Sequence, residues 1–376
     1  MSVSGWEQLL FIVAVTAVAA PLLGRYLAAT FRGAGATGST APGDRVFLPV
    51  ERLVYRTLGV DPDSSWTWRA YALAILALGL AGTLLLYAIL RLQGVLPGNP
   101  THAPGMSPLL SFNTAVSFIT GTNWQAYEGE TQASYLVDTV GLVVAQFTAA
   151  GVGLAVALAV VRGIAGKART VGNFWVDFTR SLVRVFVPLS IIGALVMVSQ
   201  GAVQNLTGFR TATTLAGGTQ KIPGGLVASM EAIKLLGTNG GSYYGVGGAH
   251  PFENPNGFTN IFDLLFVIVL PFAIIFMFGR LIGNRRQGYA IVAVMAIIFV
   301  GHTVVSMQAE LHGNHLLPAS VSQVASGVNP GGNMEGKETR FGPEASALMT
   351  VGTMGTTAGA TDSRSEERRV GKECSS

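Results

Sequence analysis

Five apolar stretches, each near the roughly 20 residues that a helix needs to cross a hydrocarbon core, dominate this sequence. They run over Trp6 to Phe31, Trp68 to Leu90, Tyr135 to Val161, Val185 to Gln200 with Leu182 extending it, and Ile261 to Ile282. A sixth follows at Tyr289 to Met307. The 376 residues would suffice for two soluble domains, but only 12% are charged, 49% are hydrophobic and 48 are glycine. A soluble surface wants roughly 25–35% charged residues, so most of this surface must face lipid. The start, Met1 to Trp6, has no basic region, and no small-residue cleavage site follows it. It reads as a retained membrane helix and not as a signal peptide.

Three shorter apolar segments, Pro108 to Thr120, Gly225 to Leu236 and Pro343 to Thr356, are too short to span. Each is followed by a glycine-rich loop, which is the pattern of a helix that enters the bilayer and turns back. Basic residues set the orientation. One set of connections holds Arg25, Arg32, Arg45, Arg52, Arg56 and Arg69, then Arg162, Lys167, Arg169, Arg180 and Arg184, then Arg280, Arg285 and Arg286. The opposite set holds Arg210, Lys221, Lys234, Lys337 and Arg340. The positive-inside rule makes the first set cytoplasmic, puts the N-terminus outside and sends all three short segments in from the outer face. The net charge of +4 lies in short loops and forms no nucleic-acid stripe. Cys374 is the one cysteine, so neither a disulfide framework nor a thiolate metal site can be built.

The short segments end on related words: Gly121-Thr122-Asn123, Gly237-Thr238-Asn239-Gly240-Gly241, and Gly355-Thr356-Thr357-Ala358-Gly359. One such word marks an ordinary turn. Three, spaced almost evenly through the same span and short-helix pattern, mark three copies of a span, pore helix, loop and span unit. The residue types suit cation selection, because rings of backbone carbonyls replace an ion's hydration shell without a fixed charge to trap it. Glycine reaches the backbone angles that aim those carbonyls inward, and Gly240 in particular is expected to need them. Thr and Asn oxygens add ligands or brace the loop, while each short helix turns its partly negative C-terminus toward the ion. The candidate K⁺ ligands are therefore Thr120, Gly121, Thr122 and Asn123, then Gly237, Thr238, Asn239, Gly240 and Gly241, then Thr357, Ala358, Gly359 and Ala360. Glu128 and Glu130, just past the first loop, suit either an outer vestibule or a solvated loop.

Read in context, Thr120-Gly-Thr-Asn-Trp-Gln125 and Gly237-Thr-Asn-Gly-Gly-Ser242 resemble the KdpA family, the potassium-translocating subunits of bacterial Kdp-type ATPases. His250-Pro-Phe-Glu-Asn-Pro255, Gly283-Asn-Arg-Arg-Gln-Gly288, Gly172-Asn-Phe-Trp-Val-Asp177 and the stretch Asn333 to Gly342 agree with it. The resemblance implies an all-α integral membrane protein related to K⁺ channels and Trk/Ktr transporters, with four pseudo-repeats around one filter, of which three lie in residues 1–363. It implies a multi-pass subunit of the bacterial inner membrane that carries K⁺, holds no resident cofactor, and works with a P-type ATPase subunit that uses ATP and with small accessory subunits. Gly121 stands where the family pattern leads one to expect Asn, and the third loop departs from Ser-Cys-Gly-Ala while keeping Gly359. Residues 364–376, ending Ser365-Glu-Glu-Arg-Arg to Ser376, are too charged for the expected next span and read as a non-native tail.

Other residues carry plainer readings. Glu231 and Lys234, at i and i+3 on the second short helix, are expected to pair away from the ion path. Asp138 and Asp263 are placed at the interfacial ends of spans, where a carboxylate costs less than at the centre. Glu335, Lys337, Glu338 and Arg340 suit a salt-bridged outer loop, and Trp175 a cytoplasmic interfacial helix. His312 and His315 lie in a loop, and with His102 and His250 also external and His302 alone, a membrane metalloenzyme fails on geometry. The chain has neither a Walker-type phosphate loop nor an Asp-Lys-Thr-Gly phosphorylation sequence, so ATP chemistry belongs elsewhere. The alternative to a pump subunit is a passive or ion-coupled Trk/Ktr-like K⁺ transporter.

Overall fold

The computed structural model describes residues 2–32, 41–166, 170–318 and 320–363. Lys167 and Arg169 of the basic set, and the tail 364–376, lie outside them. Among the described residues, six helical runs are long and apolar enough to cross a membrane: α1 (Val3–Phe31), α3 (Trp68–Leu92), Val137–Ala165, Phe174–Ser199, α10 (Gly257–Leu281) and α11 (Arg285–Leu311). The third comprises a π-helical turn, Val137–Val143, and α6 (Val144–Ala165). The fourth comprises α7 (Phe174–Ser181), a second π-helical turn, Leu182–Phe186, and α8 (Val187–Ser199). Leu73, Leu76, Leu80, Leu84 and Leu85 on α3 are exposed, as a lipid-facing surface requires.

The second π-turn has a local cause. Pro188 carries no N–H, so it cannot bond the carbonyl of Arg184 four residues back. The Tyr26 hydroxyl donates to that carbonyl instead, at 2.9 Å, tying α1 to the bulge. Trp175 lies in the first turn of a helical run continuous with this candidate span, and not in a separate helix. Arg180 and Arg184, expected in a solvated loop, are buried against α2 (Asp44–Leu58). Glu51 pairs with both, and Asp44 lies 2.7 Å from Arg184. Arg45, Arg52 and Arg56 are exposed on this same amphipathic helix, which the apolar-run pattern did not reveal.

Three short helices begin at the ends of spans and stop partway down them. α4 (Pro108–Ile119) starts where Met106 N–H bonds Leu90 O, and Ile119 packs beside Gly82, halfway along α3. Ser107 caps its first turn through Leu110 N–H, with Pro108 at the position where a missing N–H costs nothing. After a single turn, α5 (Gly129–Gln132), the chain enters the third span. An exposed antiparallel hairpin, β1 (Arg210–Thr213) with β2 (Thr219–Ile222), precedes α9 (Val227–Leu236). Residues following α11 fold back on Glu310, through Asn333 N–H to its carbonyl, before α12 (Gly342–Gly355) descends along α10.

Candidate filter where three loops meet

The helix ends define the equivalence of the three loops. The C-cap residues are Thr120 on α4, Gly237 on α9 and Thr356 on α12. Each is followed by a left-handed residue: Gly121 (φ 82°), Thr238 (φ 51°) and Thr357 (φ 63°). The letter match that aligned Gly121, Gly237 and Gly355 is therefore off by one residue in the first and third loops. Helix C-termini favour Gly or Asn in this conformation, which is why Gly121 can stand where Asn was expected. Three residues before each cap lie Ser117, Lys234 and Thr353. Their carbonyls accept the N–H of Asn123 at 3.0 Å, Asn239 at 2.8 Å and Ala358 at 2.9 Å, respectively. Each loop is thus pinned to its own helix end.

The loops converge on Gly240. A Cβ there would meet Thr122 O at 2.9 Å and Ala358 O at 3.3 Å, so one glycine touches carbonyls from both other loops. Gly240 is not left-handed, contrary to expectation; it is needed for space, and the positive φ falls on Thr238 and Gly241. A Cβ on Gly241 would meet Asn123 O at 3.1 Å. The Gly240 carbonyl accepts from Gln146 Nε2 at 3.3 Å. Asn239 turns its amide back to Gln146 O and Ile233 O, so it braces the loop. Thr120 and Thr356 likewise turn their hydroxyls onto their own helices, at Val116 O and Gly352 O. Thr122, Thr357 and Gly359 are exposed, whereas Asn123, Ala358 and Ala360 are buried, an alternation that fits extended segments passing a central path. Both polar atoms of the Asn123 side chain are buried without a hydrogen-bond partner.

A collar links the loops above this point. Gln125 accepts Ser242 N–H at 2.8 Å, the Ser242 hydroxyl accepts Gly247 N–H at 2.9 Å, and Gly247 O accepts Thr361 N–H at 2.9 Å. Beside it Lys234 pairs with Glu231, both fully buried. Glu253, Asp263 and Asp362 are also buried around this region. Asp138 and Asp263 lie within the first two turns of their spans, as expected, but they are 2% and 0% exposed, so both carboxylates are enclosed by protein. Burial, with Glu231 nearby, pushes the Glu253 carboxyl up to about 8, and burial raises Asp362 to about 6. His250 stacks on Tyr244 with centroids 3.9 Å apart, and burial beside Arg340 lowers it to about 4. In the connection between α11 and α12, Lys337 pairs with Glu310 at 2.9 Å, and Arg340 with Glu338 at 2.6 Å. Arg340 also donates to Ala249 O and Asn254 O, clamping the His-Pro-Phe-Glu-Asn segment.

The sequence matches the family described as potassium-transporting ATPase A subunit over residues 10–367. A potassium-transporting ATPase potassium-binding subunit of Mycobacterium tuberculosis is 47% identical over 96% of this chain and 63% of its own length. Proteins of the same name from Rhodospirillum centenum and Sorangium cellulosum are 46% and 45% identical over 94% of this chain, covering 60% and 62% of their own lengths. The chain thus spans about three fifths of the length of these curated relatives. Match and identity together make this chain a member of the KdpA family of potassium-transporting ATPase A subunits.

Proposed function

We propose that this chain selects and conducts K⁺ as the ion-binding subunit of an ATP-driven uptake complex. The observation that carries the proposal is the meeting of three loops at Gly240, with the carbonyls of Thr122 and Ala358 against it. Neutral carbonyls held by braced loops suit K⁺, because they solvate a large monovalent ion without binding it irreversibly. The C-termini of α4, α9 and α12 end at these loops and add favourable potential for a cation. Thr120 to Asn123, Gly237 to Gly241 and Thr357 to Ala360 form the proposed ion path, within one translocating region spanning residues 1–363. Within these, Asn239 and the Thr120 hydroxyl brace the path and do not line it.

On this reading a P-type ATPase subunit hydrolyses ATP and small accessory subunits complete the assembly in the bacterial inner membrane. The arginines around α2 face the cytoplasm, and the N-terminus, where Ser2 meets Glu344 at the start of α12, lies outside. The test is uptake by the assembled complex in vesicles. Uptake of K⁺ in preference to Na⁺ that stops when ATP is withheld supports a pump subunit; selective uptake independent of ATP supports a Trk/Ktr-like transporter. Transport without preference for K⁺ overturns both.

A further inference from the structure

The positions three residues before the caps, Ser117, Lys234 and Thr353, are structurally equivalent, yet one of them is a lysine. In the first repeat the Ser117 hydroxyl accepts Trp124 N–H at 2.6 Å, and in the third the Thr353 hydroxyl donates to Ala360 O. Both hydroxyls hold the returning arm of their own filter loop directly. In the second repeat Lys234 reaches further, and its ammonium donates to Gly247 O at 3.4 Å. That carbonyl also accepts the Thr361 N–H, immediately beyond the third filter loop.

The lysine is enclosed. Its side chain is 0% exposed and that of Glu231 is 1% exposed. Glycines let the backbone settle on the pair: a Cβ on Gly248, whose φ is +104°, would lie 3.0 Å from Lys234 Nζ and 3.1 Å from Glu231 Oε1. Gly247, also left-handed, packs against Thr361. A fixed cation beside a cation path is counterproductive unless it is neutralised, which Glu231 does, and unless it serves another purpose. Resting on the K⁺-filter reading above, we infer that Lys234 is a positioning residue: its ammonium, neutralised by Glu231, ties α9 to the Gly247 carbonyl, where the arm of the second loop meets Thr361 N–H of the third, and so sets the spacing that discriminates K⁺ from other monovalent cations.

Three variants test this in the full-length subunit assembled with its complex, measuring abundance, maximal rate, half-saturating K⁺ and Rb⁺ competition. Lys234→Met paired with Glu231→Gln buries no unpaired charge and removes the contact to Gly247. We expect normal abundance, a maximal rate within about twofold of the parent, and a half-saturating K⁺ concentration at least tenfold higher with weaker rejection of Rb⁺. The swap Glu231→Lys with Lys234→Glu keeps a pair but moves the ammonium off Gly247. It should restore neither property, whereas a merely stabilising ion pair would be rescued by it. Lys234→Arg, which keeps a donor, should recover part of the discrimination. Unchanged half-saturation and Rb⁺ rejection in the neutral variant overturn the inference, as does rescue by the swap. Failure of the neutral variant to accumulate overturns it too, because the pair would then serve folding. If the parent complex itself shows no K⁺ selectivity, the filter reading has failed, and that outcome is distinct from a selective parent with an indifferent Lys234.

Discussion

Gly240 and Thr122 belong to different repeats, 118 positions apart in sequence, yet a single carbon added to Gly240 would sit 2.9 Å from the Thr122 carbonyl oxygen. Real Cβ atoms have almost no contacts this short to backbone, and here the neighbour cannot swing away as a side chain would. Gly240→Ala must push the first and second loops apart. The expected result is a half-saturating K⁺ concentration raised at least tenfold, equivalent to about 1.4 kcal/mol of ion binding. Membrane insertion should persist. Lys337→Ala, which removes the pairing with Glu310 at the end of α11, is the control and should shift the value much less. K⁺-stimulated ATPase activity or uptake against ion concentration measures both.

The proposed orientation rests on the placement of basic residues and is open to direct labelling. Ser65 lies in the exposed connection between α2 and α3, and Ser320 in the connection following α11. In a Cys374→Ser background, Ser320→Cys should react with an impermeant thiol reagent added outside intact cells. Ser65→Cys should react only after the membrane is opened. Reaction of both from one face would reverse or abolish the proposed topology.

The buried ion cluster around α2 should carry more stability than its surface neighbours. Glu51 is wholly buried and meets both Arg180 and Arg184. Removing one partner of a buried pair strands the others in low dielectric, at a cost of about 3–5 kcal/mol. Glu51→Ala should lower the unfolding temperature of the detergent-solubilised protein sharply and loosen α2 in hydrogen exchange. Arg45→Ala, at an exposed site on the same helix, should change stability by no more than about 0.5 kcal/mol.

Much of this architecture was legible because its causes are local. Apolar run length marks a span, and a short apolar run ending in Gly and Thr marks a helix that stops partway along its neighbours. Glu231 and Lys234 are neighbours on one helical turn, so their pairing could be read from spacing. What spacing does not carry is enclosure. Glu253, Asp263 and Asp362 reach that region from a loop, a span and the segment after the third of the converging loops, and nothing in their own neighbourhoods announces that they meet. The loop register failed for a related reason. Matching Gly-Thr letters aligned Gly121 with Gly237, whereas the backbone equates Gly121 with Thr238, a β-branched residue in a conformation that usually favours Gly. The reason for glycine at position 240 was misread as a backbone angle, because close approach between repeats has no sequence signature.

The pH response of stability offers a test of the buried carboxylates. Glu253 is fully buried and one oxygen accepts Tyr244 N–H at 3.1 Å; that bond favours the carboxylate, but the cost of burying the charge outweighs it and favours a neutral carboxyl. Its folded value is raised from 4.5 to about 8, chiefly by desolvation and then by Glu231, with Lys234 opposing. Between those values the folded protein binds a proton that the unfolded chain releases. By linkage, the contribution of Glu253 to stability is fully present below about 4.5, declines as pH rises, and is lost by the time pH passes about 8. Glu253→Gln keeps the oxygen that accepts Tyr244 N–H and supplies a permanently neutral group. The wild-type protein should therefore lose thermal stability between about pH 5 and pH 8 relative to Glu253→Gln, and the two curves should run parallel above about pH 9. Unfolding temperatures of both proteins measured across that range check the sign. A wild-type protein that gains stability relative to the variant as pH rises would mean that Glu253 is ionised in the fold and held by Lys234.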